Sequence, residues 1–140
     1  MEEGVFRRLR TVLAEDVDRL GHVNNVVWVR FVVELAFAHS EAVGWDARAY
    51  ERLGACWIVR RHEIDYLASA LPGDEIEERT AVVAMRGARC LRRSAFRRPR
   101  DGALLVRALT EWAFVDAASQ RPRRLDPALH ACFPVVASDP

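Results

Sequence analysis

Residues 24–44, NNVVWVRFVVELAFAHSEAVG, decide the fold. Their valines would suit a strand. At about 18 residues, however, the apolar run is too long for a usual strand and reads as a helix. Asn24 or Asn25 provides the N-cap, because an asparagine side chain accepts from the unpaired amides of a first turn. Gly44 is the natural stop. Arg30 and Glu34 stand four apart and pair on one face. The rest of the circumference is almost wholly apolar, so the helix is expected to be enclosed rather than resting on a surface.

Outward from this helix, the chain reads as strands. An arginine-rich strand near Phe6–Leu13 precedes it, followed by a turn carrying Asp16, Asp18 and Gly21. A short helical segment near Asp46–Arg52 follows. Four strands come next, at about Cys56–Tyr66, Asp74–Met85, Cys90–Arg98 and Leu104–Asp116, separated by Gly- and Pro-bearing turns. In the last of them Val106, Ala108, Thr110, Trp112 and Phe114 share one face, and Arg107 and Glu111 the other. Asp126-Pro127 opens a short terminal helix. One long apolar helix followed by an antiparallel meander is an α+β pattern. Such a sheet keeps edges that dimerisation can cover.

The 140 residues, 51% hydrophobic and 29% charged, fit one globular domain spanning 1–140. A net charge of +1 carries no bulk field toward nucleic acid or membrane. All 21 basic residues are arginine. Three cysteines without CxxC spacing, and no apolar leader, are expected of a soluble cytoplasmic protein with free thiols. No GxSxG, HExxH, P-loop or GxGxxG motif occurs, and the four histidines lack metal-ligand spacing.

What remains for chemistry is Asp16-Val17-Asp18-Arg19-Leu20-Gly21-His22-Val23-Asn24-Asn25, directly before the helix. A helix start offers unpaired amides and a positive dipole end, a place to hold an oxyanion. A carboxylate just upstream can attack a carbonyl or activate water. The residues alone leave a second reading open, in which Asp16 and Asp18 only satisfy turn amides.

The stretch DVDRLGHVNNVVWVRFVVELAFAH resembles the signature of hotdog-fold acyl-CoA thioesterases of the 4-hydroxybenzoyl-CoA thioesterase family. RRHEIDYLASALPGDEIEERTAVV and DGALLVRALTEWAFVDAASQRPRRLDPAL are similar to the family's later strands, so the resemblance runs from about Arg7 to Leu129. It implies five or six antiparallel strands wrapped around one central helix. It also implies edge-to-edge dimers or tetramers of dimers, with sites between subunits and no metal or other cofactor. The implied reaction is hydrolysis of an acyl-CoA or acyl-carrier-protein thioester. By resemblance, Asp18 matches the catalytic aspartate and Asn25 the position whose backbone amide polarises the thioester carbonyl. Asp16 matches a less essential acid, and His22 and Asn24 recurrent motif positions that shape the loop or contact the substrate. Trp28 stands where smaller residues or tyrosine are common and is expected to narrow the acyl pocket. Glu34 matches a glutamate often seen on the central helix, with pairing to Arg30 as its plain reading, and Glu63 is a candidate partner-subunit acid, with an exposed strand charge as its plain reading.

The cluster Arg86, Arg89, Arg92, Arg93, Arg97, Arg98 and Arg100 reads either as a merely solvated hairpin or as a candidate site for CoA phosphates, with Arg92 and Arg93 at its centre. Aromatics are nearly missing from it, which disfavours nucleic acid. The alternative function is an acyl-CoA-binding hotdog protein that does not hydrolyse, acting as a sensor or carrier-protein partner. A hotdog dehydratase would need a differently placed histidine.

Overall fold

A computed structural model of the chain describes residues 2–140. The elements run β1 (Phe6–Thr11), α1 (Asn25–Ala42), α2 (Ala47–Leu53), β2 (Ala55–Tyr66), β3 (Glu75–Arg86), β4 (Arg89–Arg98), β5 (Ala103–Asp116) and α3 (Pro127–Ala131). A 3₁₀ turn, Ala14–Asp16, lies between β1 and α1. Among these residues the strands form one five-stranded antiparallel sheet in the order β1-β3-β4-β5-β2.

That order explains the long helix. β1 and β2 are the two edges, so the chain must cross the whole sheet between them. Four inter-strand steps span about 19 Å, and an 18-residue helix reaches about 27 Å. The crossing therefore lays α1 over one face of the sheet, which is the hotdog arrangement. Register shifts at Val59/Arg61, Val82/Ala84 and Phe96/Arg97 curl the strands around it, as bulges do.

Both helix signals hold. Asn24 is the N-cap, its side chain accepting from the Val26 amide. Past Ala42 the chain turns through Gly44 at a φ of 95°, where a side chain would be strained. Trp28, Phe31, Val32, Leu35, Ala36 and His39 face the sheet at helical spacing. They meet Ile76, Phe96, Leu105 and Val106 in one cluster and Val82, Trp112, Phe114 and Phe133 in a second.

The expected enclosure of α1 is not observed. Val26 is 76% and Phe37 48% exposed, because one curled sheet covers one side of a helix only. Both sheet edges are also open, and the twelve-residue β2 pairs with β5 alone.

Candidate active site

The segment before α1 is a closed loop rather than a loose turn. Val17 and Val23 bridge across its neck, and Asp18 N–H donates to the His22 carbonyl at 3.2 Å. Gly21 N–H donates to the Asp18 carbonyl at 3.0 Å, with Gly21 itself at a φ of 85° that favours glycine. Below the neck, Val23 N–H donates to the Ala70 carbonyl and Asn24 N–H to the Asp16 carbonyl, anchoring the loop to the body.

The two aspartates have separated roles. Asp16 is 4% exposed and fully engaged. Its Oδ2 accepts from Leu13 N–H at 2.9 Å and its Oδ1 from Arg30 Nη2 at 2.7 Å. Asp18 is half-buried, and its Oδ1 accepts from Leu20 N–H at 2.8 Å. Its Oδ2 has no protein partner among the described residues. One oxygen thus fixes the carboxylate and the other stays available.

The first turn of α1 shows the same economy. Val26 N–H is taken by the Asn24 side chain, and Val27 and Trp28 donate to the Asn24 carbonyl. Asn25 N–H, on an exposed residue, is left with no acceptor among the described residues. The loop places the Asp18 carboxylate and this free amide at one end of one helix. A carboxylate and an oxyanion donor together are what acyl transfer from a polarised carbonyl requires.

The structure brings Asp18, His22, Asn24 and Asn25 together in this loop, with Asn24 acting as the cap and His22 half-buried beside it. It does not bring Trp28 to an acyl pocket. Trp28 is 2% exposed and wedged edge-on against Phe31 and Phe96, because its helical phase is that of the buried face. Nor do the arginines of β4 form one surface cluster. Successive strand residues point to opposite faces, so Arg92 is 5% exposed inside the molecule, whereas Arg93 lies outside near Asp139 at 3.3 Å. Arg89 pairs with Glu111, and Arg98 with Asp74 and Asp101. Arg93, Arg97 and Arg107 line an outer-face cavity of about 300 Å³ that also holds Glu63 and Asp65.

Glu34 meets Arg30 at 3.6 Å and Arg10 at 3.8 Å, so its plain reading as an ion-pair residue stands. Glu63 is exposed and pairs with Arg61. Two contributors escaped the sequence reading. The Tyr66 hydroxyl donates to the Asn25 carbonyl at 3.2 Å, tying the end of β2 to the helix start. Arg30 holds Asp16 as well as Glu34. For Tyr66 the signal was its place just before the turn that ends β2.

A family model described as the thioesterase-like superfamily matches residues 12–133. The chain belongs to the thioesterase-like superfamily. A search of curated proteins returns no match. Solved structures share the superfamily's fold at low identity. A 1,4-dihydroxy-2-naphthoyl-CoA thioesterase from Synechocystis superposes with a TM-score of 0.85 at 18% identity, over 92% of this chain and 95% of that one. A protein from Staphylococcus aureus, solved in complex with CoA, gives 0.87 at 14% identity, over 94% and 83%. A DHNA-CoA thioesterase from the same organism gives 0.84 at 16%, over 91% and 87%. Within this superfamily member, no helix among the described residues is long and apolar enough to cross a membrane.

Proposed function

We propose that this chain hydrolyses the thioester of an acyl-CoA or acyl-carrier-protein to a free acid and a thiol. The observation that carries the reading is the pairing of an available Asp18 oxygen with the acceptor-less Asn25 N–H in one loop of a thioesterase-like chain. In the water route, the thioester carbonyl oxygen accepts from Asn25 N–H, which polarises the carbon. Asp18 takes a proton from water as the oxygen of that water bonds to the carbon. The tetrahedral oxyanion collapses, the C–S bond breaks, and the Asp18 proton passes to the departing thiolate. In the covalent route Asp18 itself adds to the carbon and expels the thiolate, and water then opens the resulting anhydride. His22 and Asn24 shape the loop, and Asp16 with Arg30 holds it in place.

The site is completed by a second copy. The open edge of β2 and the exposed apolar positions Val26 and Phe37 are surfaces a monomer rarely leaves bare. The CoA-bound Staphylococcus structure supports a CoA-type substrate. Arg93 is the member of the original arginine pair left on the surface to meet its phosphates.

The test is thiol release from a panel of aliphatic and aromatic acyl-CoAs. Turnover of at least one member is expected. Measurable acyl-CoA affinity with no turnover across the panel, and none with acyl-carrier-protein, would replace the hydrolase with the non-hydrolysing binding protein.

A further inference from the structure

Six charged side chains of alternating sign lead from the sheet to the Asp18 loop. The far end is Glu78 of β3, which is 0% exposed. Its Oε2 accepts from Arg8 Nε at 2.5 Å and its Oε1 from Arg10 Nε at 2.5 Å. Both arginines lie on β1, two apart and therefore on one face. Arg10 has a second contact, its Nη2 lying 3.8 Å from Glu34 Oε2 on α1. Glu34 Oε1 lies 3.6 Å from Arg30 Nη1, and Arg30 Nη2 lies 2.7 Å from Asp16 Oδ1. The order is Arg8, Glu78, Arg10, Glu34, Arg30, Asp16, with each charge between opposite ones.

The two acids at the ends are buried and the middle is not. The Glu78 and Asp16 side chains are 0% and 5% exposed, whereas those of Glu34 and Arg30 are 38% and 54%. A half-exposed arginine has many rotamers open to it, and ordering it costs entropy. Arg30 is ordered because a different carboxylate faces each of its Nη nitrogens. The guanidinium is a rigid plane, so fixing one nitrogen fixes the other. Arg10 is held in the same way, by Glu78 at Nε and Glu34 at Nη2. The Phe31 ring is a common floor, 3.9 Å from the Arg10 guanidinium carbon and 5.4 Å from that of Arg30. Glu34 Oε1 makes no hydrogen bond among the described residues, so Glu34 supplies Arg30 with charge alone. Glu34 stands nine residues past Asn25, about 13 Å along the helix, too far to touch a carbonyl held by the Asn25 amide.

The near end acts on the site. Asp16 Oδ2 accepts from Leu13 N–H, and the Asp16 carbonyl accepts from Asn24 N–H at 3.2 Å. Asn24 immediately precedes the Asn25 amide, and Asp18 lies two residues after Asp16. The place of Asp16 therefore bears on both the amide and the carboxylate.

We propose that Glu34 and Arg10 are positioning residues of the Asp18 loop. They pass the fixed position of buried Glu78 to Arg30, and Arg30 passes it to Asp16. The ordering of the loop does not depend on what the loop does, whereas its consequence for turnover rests on the hydrolase reading.

Residue-resolved amide hydrogen exchange on the full chain compares the wild type with Glu34→Gln, which keeps the shape and removes the charge. The Leu13 and Asn24 amides, both bonded to Asp16, are expected to exchange about two- to fivefold faster, the loosening that loss of an exposed charge pair allows. The amides of β4 and β5 are expected to stay unchanged. Arg10→Gln is expected to act alike at Asn24, and the double variant to add nothing there, because both cut one relay. Arg7→Gln breaks a pair with Glu77 on the other face of β1 and serves as the control, leaving both amides as in the wild type. If Arg10→Gln fails to fold, Glu34→Gln and Arg7→Gln carry the test. Wild-type exchange at Leu13 and Asn24 in Glu34→Gln, or an equal rise throughout β4 and β5, overturns the proposal. In acyl-CoA hydrolysis Glu34→Gln is expected to lose about two- to fivefold in kcat at an unchanged KM, far less than loss of the reacting carboxylate. A raised KM with kcat intact also overturns the positioning role. A wild type that hydrolyses no thioester contradicts the hydrolase reading instead, and the exchange result then decides the proposal by itself.

Discussion

At its N-terminal end α1 leaves an amide open, faces solvent, and is set in a loop made of backbone hydrogen bonds and two aspartates. Fifteen residues on, between Ser40 and Arg92, the same helix is closed in by Phe6, Tyr50, Trp112 and Phe133. The first end keeps its unsatisfied groups at the surface. The second keeps Trp112 Nε1 without a hydrogen-bond partner among the described residues, and buries the Arg92 guanidinium on His39 and Thr80. Solvent access separates the two ends more than residue type does. An exposed donor stays ready at little cost, whereas a buried donor calls for a resident partner.

That comparison breaks first in the core that joins the ends. Trp28 sits one turn from the Asp18 loop yet belongs to the interior. Trp28→Ala should lower unfolding free energy by about 3–5 kcal/mol, read by urea melts. A stability loss under about 1 kcal/mol would return Trp28 to the pocket wall.

The closed end has its own signature in acid. His39 has a folded pKa near 3, whereas an unfolded imidazole titrates near 6.5. Between those values the unfolded chain binds the extra proton, so stability falls as pH drops from about 6.5 toward 3. The slope from this residue is at most about 1.4 kcal/mol per pH unit. His39→Asn should flatten the part of the curve above pH 5. Glu77, held low by Arg7 and Arg79 against the opposing effect of burial, adds its own loss only nearer its ordinary range.

At the open end, Asn24→Ala removes the cap on Val26 N–H and should cost about 1 kcal/mol. Smallest of all, Arg61→Ala breaks an exposed pair with Glu63 and should shift stability by under about 0.5 kcal/mol.

The fold was legible because its signals are local. Asn24 and Gly44 bracket one run too long for a strand, and the turns at Leu71-Pro72-Gly73-Asp74 and Pro99-Arg100-Asp101-Gly102 divide the rest. The site was legible only as a segment. Asp16 and Asp18 are the same residue type two apart, and only their partners show that one is spent on Arg30 and Leu13. Arg92 was misplaced by grouping it with its neighbours, although β4's alternation already sends it inward with Cys90 and Ser94. The exposed flank of α1 was not legible, since its valines and Phe37 look no different from those that face the sheet.

The most direct test compares Asp18→Asn with Asp16→Asn, measuring acyl-CoA thiol release and melting temperature on the same preparations. Asp18→Asn is expected to lose about 10²–10⁴-fold in turnover with its melting temperature unchanged. Asp16→Asn is expected to melt lower while retaining turnover wherever it is folded. Full turnover in Asp18→Asn would contradict the assignment of this loop as the reactive end of the helix.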